Sequence, residues 1–145
     1  MMSLDGFFSL LLNPTKTEAI VFGTAARLKA VDMSTGIISA GSNIKFSDAV
    51  KLLGVTLDRC LTMDSHVASV VRSCNFHIRA LRHIRSRLTL DAVKSVAVSI
   101  VGSRLDYCNT LLRGTSQHNF DRLQHIQNTL ARAVTQASWR NGVIR

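Results

Sequence analysis

The sequence predicts an α+β fold, a small antiparallel sheet followed by a basic three-helix bundle, and three observations carry that prediction. Short apolar runs broken by Gly, Ser, Asn and Asp fill residues 1–62, whereas apolar stripes at spacings of three and four fill residues 63–145. Charge divides at the same place, with 6 Lys and Arg against 5 acids up to residue 62 and 12 against 4 beyond it. With 145 residues, 46% of them hydrophobic, and a single proline, the chain has the material for a buried core and does not read as disordered.

The first strand is expected over residues 18–23, an apolar run that follows the turn-prone Asn13-Pro14 and stops at Gly23. Residues 36–41, 43–47 and 50–58 continue as short runs between turn residues, the pattern of an antiparallel meander. Helical period then takes over. Val67, Val70, Cys74, Ile78, Leu81, Ile84 and Leu88 form one stripe, with Thr62 or Asp64 available to cap its start, and Arg72, Arg79 and Arg82 fall on the opposite side. A second helix is expected to start at the cap Thr89, to carry Val93, Val96, Ala97, Ile100, Leu105, Cys108 and Leu112, and to stop at Gly114. The third follows Ser116 and presents Phe120, Leu123, Ile126, Leu130 and Val134. Three such stripes bury one another best as a bundle with short connections. Residues 138–145 carry no stripe and are expected to fray.

Composition excludes several kinds of chemistry. Three cysteines, Cys60, Cys74 and Cys108, make neither a disulfide framework nor a four-ligand zinc site, and they favour a reducing, intracellular setting without separating nucleus from cytoplasm. The early apolar run at residues 7–12 is short and broken by Ser9, so no membrane-spanning helix and no secretory signal are expected. Cys74 and His77 stand three apart, but no second ligand pair has metal-site spacing; no metal and no other cofactor is expected. There is no Gly-x-Ser-x-Gly elbow and no phosphate-cradling glycine loop. No two of the nine acids are adjacent, so a two-metal phosphoryl-transfer centre lacks its carboxylate pair and no catalytic residue is assigned.

What composition favours is a polyanionic partner. The formal charge is +9 and the isoelectric point about 10.5. Beyond residue 62, 11 of the 12 basic residues are arginine, whose planar fork suits phosphate.

Three segments in order carry a resemblance: Leu-Asn-Pro-Thr-Lys-Thr-Glu at residues 12–18 running into Ala-Ile-Val-Phe, Leu-Gly-Val-Thr-Leu-Asp at 53–58, and Ser-Arg-Leu-Asp-Tyr-Cys-Asn at 103–109. Over about residues 12–135 the chain resembles the C-terminal part of the reverse transcriptase of non-LTR (LINE-type) retrotransposons. The resemblance implies that residues 1–62 are the end of a palm with a primer-grip-like Leu53, Gly54 and Asp58, and that residues 63–145 are a thumb. It implies that Lys16 lies near nucleotide phosphates. In that family Mg²⁺ is held by a Phe/Tyr-x-Asp-Asp turn upstream of the Asn-x-x-Lys-Thr segment. No Asp-Asp occurs here, so the chain by itself is expected to be an inactive polymerase fragment. Its expected activity is sequence-indifferent binding to the backbone of RNA or an RNA/DNA hybrid through Arg72, Arg79, Arg82, Arg85 and Arg87, together with Lys16. A competing reading makes the helices a basic module for an acidic protein partner. Arg104, Asp106 and Tyr107 are expected to serve packing, and Trp139 to be exposed.

Overall fold

The computed structural model describes residues 13, 16–39, 41–107, 109 and 112–136. The expected fraying of residues 138–145, and Trp139 and Cys108 with it, lie outside them. The described chain is α+β, two small antiparallel sheets followed by helices.

The expected strand at residues 18–23 does not form a ladder. Ala19 makes a single parallel bridge with Phe46, its carbonyl accepting from Ser47 N–H at 2.7 Å, while Gly23 N–H donates to the Arg59 carbonyl at 3.0 Å. Tied at its two ends to different segments, this stretch has no single partner along which to align. A one-turn helix that the sequence did not announce follows, α1 (Ala25–Leu28), capped by Thr24 Oγ1, which accepts from Arg27 N–H at 3.4 Å.

The expected meander is instead two separate hairpins. Strands β1 (Ile37–Ser39) and β2 (Ser42–Ile44) pair with Ile37 opposite Ile44, and β3 (Ala49–Leu52) and β4 (Val55–Asp58) pair with Leu52 opposite Val55. Residues between β2 and β3 are otherwise engaged. Arg59 Nε donates to the Ser47 carbonyl at 3.1 Å, and its Nη2 pairs with Asp48 at 2.7 Å, so this link turns toward β4 rather than continuing a sheet. The run at 50–58 is a hairpin in its own right because Leu53 and Gly54 both take positive φ, +48° and +83°, which a two-residue turn with the strands' own twist requires.

Helix α2 (Asp64–Ile84) buries Val67, Cys74, Ile78 and Leu81 and leaves Arg72, Arg79 and Arg82 exposed. Ile84, expected on the stripe, is 47% exposed. It sits about 60° around the helix from Leu81, where a tight turn over Arg85–Arg87 redirects the chain. Neither expected residue caps α2 in the usual way. Met63 occupies the cap position with φ +65°, and Thr62 Oγ1 accepts only from Asp64 N–H, at 3.3 Å.

The second helix is broken where a continuous one was expected. Helix α3 (Leu90–Ala97) starts at Thr89, whose Oγ1 accepts from Ala92 N–H at 3.3 Å. A wider turn over Val98–Gly102 then leads into the short α4 (Ser103–Asp106). The buried side chains explain it: Val93, Ala97, Val101 and Leu105 are four apart throughout. On an α-helix of about 3.6 residues per turn, each four-residue step drifts about 40°, so three steps would carry Leu105 off the core. A wide turn recovers that drift, and Ile100, assigned to the stripe by the 3.6 period, is left 36% exposed.

Helix α5 (Gln117–Thr135) begins as expected after Ser116, whose Oγ accepts from Asn119 N–H at 3.4 Å, and it packs along α2. It buries Asn119, Ile126 and Ala133, while Phe120 is 40% exposed because the buried face starts one residue earlier, at Asn119. The core has three linked clusters. Cys74, Ile78, Val101, Leu105, Ile126 and Ala133 form the centre, Leu81, Val93 and Ala97 one end, and Val55, Met63, Val67 and Leu112 the other. The last cluster seats hairpin β3–β4 on the helices.

Candidate nucleic-acid interface

The hairpin tip is held from 54 residues further along the chain. Tyr107 Oη donates to the Leu53 carbonyl at 2.7 Å, and a Cβ added to Gly54 would meet Tyr107 Cε1 at 3.7 Å. The Leu53 side chain stands 81% exposed at the tip. One step behind it, Thr56 N–H in β4 donates to Nδ1 of the buried His66 on α2 at 3.4 Å.

Asp58 organises the passage from β4 to α2. Its Oδ1 accepts from the N–H groups of Cys60 (3.1 Å) and Thr62 (3.0 Å), and its Oδ2 from Met63 N–H (2.9 Å) and Thr62 Oγ1 (3.0 Å). Leu61 and Met63 in this loop both have positive φ, +54° and +65°, which non-glycine residues adopt at a cost. Burial pushes the Asp58 carboxyl up, but the donors from Thr62, Met63 and Cys60 outweigh it and hold the group below the ordinary carboxylate range. From the other side, Asn119 Nδ2 lies 2.6 Å from Asp64 Oδ1, 3.0 Å from Thr115 Oγ1 and 3.4 Å from the Thr62 carbonyl, and Thr115 Oγ1 donates to that same carbonyl at 2.9 Å. The start of α2 is thereby pinned to the start of α5.

On α2 the solvent face is built by helical geometry alone. Seven residues return to within about 20° of the starting direction, so Arg72 and Arg79 share a face, and Arg82 stands about 80° round from Arg72. The three span about 15 Å along the axis, close to four or five nucleotide steps at about 3.4 Å each. None has a hydrogen-bond or ion-pair partner among the described residues; there the ion pair is Arg59 with Asp48. Apart from Asp64 at its first position, α2 carries no acid.

Arg85 leaves this row. Its Nε donates to the Val134 carbonyl at 2.9 Å and its Nη1 to the Leu88 carbonyl at 3.3 Å, so it satisfies the last turn of α5 and the turn before α3. Arg87 is exposed in that same turn. Lys16 is exposed on the segment leading to Ala19, and no described hydrogen bond or ion pair joins its side chain to α2 or to the hairpin. Arg104 is exposed and held by hydrogen bonds, its Nε donating to Ser73 Oγ at 3.1 Å and its Nη1 to the Ile100 carbonyl at 3.3 Å. Burial pushes the Cys74 thiol up, with Arg104 pulling partly the other way, and so keeps it an inert core residue. Among the described residues no three His, Cys, Asp or Glu side chains gather as a metal site would require. The Mg²⁺ centre that the family resemblance implies needs paired carboxylates, and the residues present, with no two acids adjacent in sequence, do not fit it. Among the described residues no helix is long and apolar enough to cross a membrane.

The sequence of the probable RNA-directed DNA polymerase from transposon BS of Drosophila melanogaster is 31% identical over 130 residues, covering 87% of this chain. That of the RNA-directed DNA polymerase from mobile element jockey of Drosophila funebris is 24% identical over 135 residues, covering 91%. The chain is related to the reverse transcriptases of non-LTR retrotransposons. It spans 14% of the length of each of these relatives. No family model matches the sequence, and no solved structure does.

Within this reverse-transcriptase relative, two of the three segments that carry the resemblance touch, through Tyr107 and Leu53. Tyr107→Phe removes that hydrogen bond and leaves the turn carbonyl to water; the expected loss is about 1 kcal/mol, read by chemical denaturation. Tyr107, expected to pack, is instead 66% exposed and bonded through its hydroxyl, and no spacing in the sequence points to His66 or Asn119. A polar residue one position off an apolar stripe, as Asn119 is beside Phe120, was the available signal.

His66 gives a pH prediction. Burial pushes its pKa below the ordinary 6.5, and its Nδ1 must be unprotonated to accept from Thr56. On acidification the unfolded imidazole therefore takes its proton first. The stability this residue permits is complete above pH 6.5 and is lost as pH falls through the lower folded value. In thermal melts between pH 7.5 and pH 5, His66→Gln should show a smaller acid-side drop than the parent chain.

Proposed function

We propose that the chain is a palm-end and thumb fragment of a retrotransposon reverse transcriptase, residues 1–62 supplying the primer-grip-like hairpin and residues 63–145 the thumb-like helices, and that it holds nucleic acid by the backbone without reading sequence. The observation that carries this reading is the unpaired Arg72, Arg79 and Arg82 face of α2, in a relative of enzymes named for RNA-directed DNA synthesis. Phosphate groups of RNA or of an RNA/DNA hybrid, within an intracellular setting, are the partners; Arg87 extends the face, and Lys16 and the Leu53-Gly54 tip contribute from the palm side. With no adjacent carboxylates, the chain binds but does not polymerise.

The test is a salt series. Binding of the 145-residue chain to a short RNA/DNA hybrid, followed by fluorescence anisotropy, should weaken with log affinity falling by roughly 0.7–0.9 per phosphate contact for each log unit of salt, a total slope of about 2 to 4. Competition by an unrelated polyanion should displace the hybrid. No binding at low salt, with tight binding to an acidic protein instead, would favour the interaction-module reading.

A further inference from the structure

The exposed face of α2 holds one side chain that phosphate binding does not explain. Phe76 is 69% exposed, four residues after Arg72 and three before Arg79, and it stands opposite the buried stripe of Cys74, Ile78 and Leu81. An aromatic ring left in water at the middle of a long helix is an unused apolar surface. Its ring contact among the described residues is with His77, with centroids 5.3 Å apart and planes at 79°, an edge contact that does not cover it.

The neighbours narrow what could cover it. One turn away on either side stand Arg72, Ser73, Arg79 and Ala80, with no second large apolar residue. A partner helix seated in an apolar groove, or presenting one, needs anchors repeated at three, four and seven residues, and those are missing. A flat apolar ring bracketed by two unpaired guanidinium groups suits instead a planar, apolar-faced ligand with negative charge on each side of it. That is the chemistry of a nucleobase between successive phosphates.

We propose that Phe76 stacks an unpaired base, so that this face of α2 selects single-stranded nucleic acid over duplex. The inference rests on the reading of the arginine face as a nucleic-acid interface and adds a strand preference that backbone charge alone would not give. In a duplex the base faces are already occupied by their neighbours, and Phe76 gains nothing there; in a single strand it covers a π-face of any base, without sequence preference.

The experiment compares Phe76→Ala, Phe76→Leu and Phe76→Trp with the parent chain and with the Arg72→Gln, Arg79→Gln, Arg82→Gln triple variant. The ligands are a ten-nucleotide single-stranded RNA and a ten-base-pair RNA/DNA hybrid, at one salt concentration. Because Phe76 is on the solvent face, all three single variants should melt like the parent. Phe76→Ala and Phe76→Leu should lose about tenfold in affinity for the single strand and less than twofold for the hybrid, while Phe76→Trp retains or improves single-strand binding. Loss for both ligands alike, or retention of single-strand affinity by Phe76→Leu, would overturn the stacking role while leaving the arginine face intact. If the arginine triple variant also binds like the parent, the underlying interface reading fails with it.

Discussion

Asp58→Ala should cost about 2–3 kcal/mol and loosen the joint between hairpin β3–β4 and α2. The carboxylate accepts four hydrogen bonds from three consecutive or near-consecutive residues, and its loss leaves the N–H groups of Cys60, Thr62 and Met63 to find water. It also removes what holds Leu61 and Met63 at positive φ, a conformation that costs about 1–2 kcal/mol per non-glycine residue. Met63 is buried beside Val55, Val67 and Leu112, so a loop that relaxes withdraws an apolar side chain from the core. Urea denaturation should report the loss. Asp58→Asn, which keeps the shape and part of the acceptor capacity but not the charge, should fall between parent and Ala. Since donors hold the Asp58 carboxyl below the ordinary 3.8, its contribution is complete above that value and disappears as pH falls through the folded one. A melt at pH 2 should accordingly show a smaller difference between parent and Asp58→Ala than one at pH 7.

The helices were legible because each buries one face, and a 3.6-residue period marks that face in the sequence. Thr89 and Ser116 cap where their position before an apolar run says they should. The period misled where backbone geometry departs from it. Ile100 falls on the α-helical stripe but on the outside of a wider turn, and Ile84 lies where a tighter turn begins. Strands were less legible, since a short apolar run does not say which edge it will meet: residues 18–23 read as a strand and became a tether with one contact at each end.

The site divides the same way. Spacing alone placed Arg72 and Arg79 on one exposed face, because i and i+7 nearly coincide on a helix, and put Arg82 on the same solvent side, about 80° round from Arg72. The role of Arg85 was invisible in that pattern, since its partner carbonyl belongs to Val134, 49 residues away. Asp58 entered through a resemblance as part of a grip, and its structural task, accepting four bonds in a loop of positive-φ residues, depends on local geometry that no spacing encodes.

Under the proposed function, charge on the α2 face, rather than the net charge of the chain, holds nucleic acid. The most direct measurement sets two triple variants side by side on a short RNA/DNA hybrid: Arg72→Gln, Arg79→Gln, Arg82→Gln, and Arg27→Gln, Lys29→Gln, Arg113→Gln. All six side chains are exposed, and each triple removes three positive charges. Gln preserves helix propensity on α2 and leaves the buried stripe untouched, so both proteins should unfold like the parent. If phosphates sit on α2, the first triple loses about tenfold or more in affinity at low salt and its salt slope flattens by about two units. The second should keep the parent slope and lose only the modest general attraction of three charges. Equal losses and equal slopes in the two variants would mean that diffuse charge, and not the α2 face, holds the hybrid.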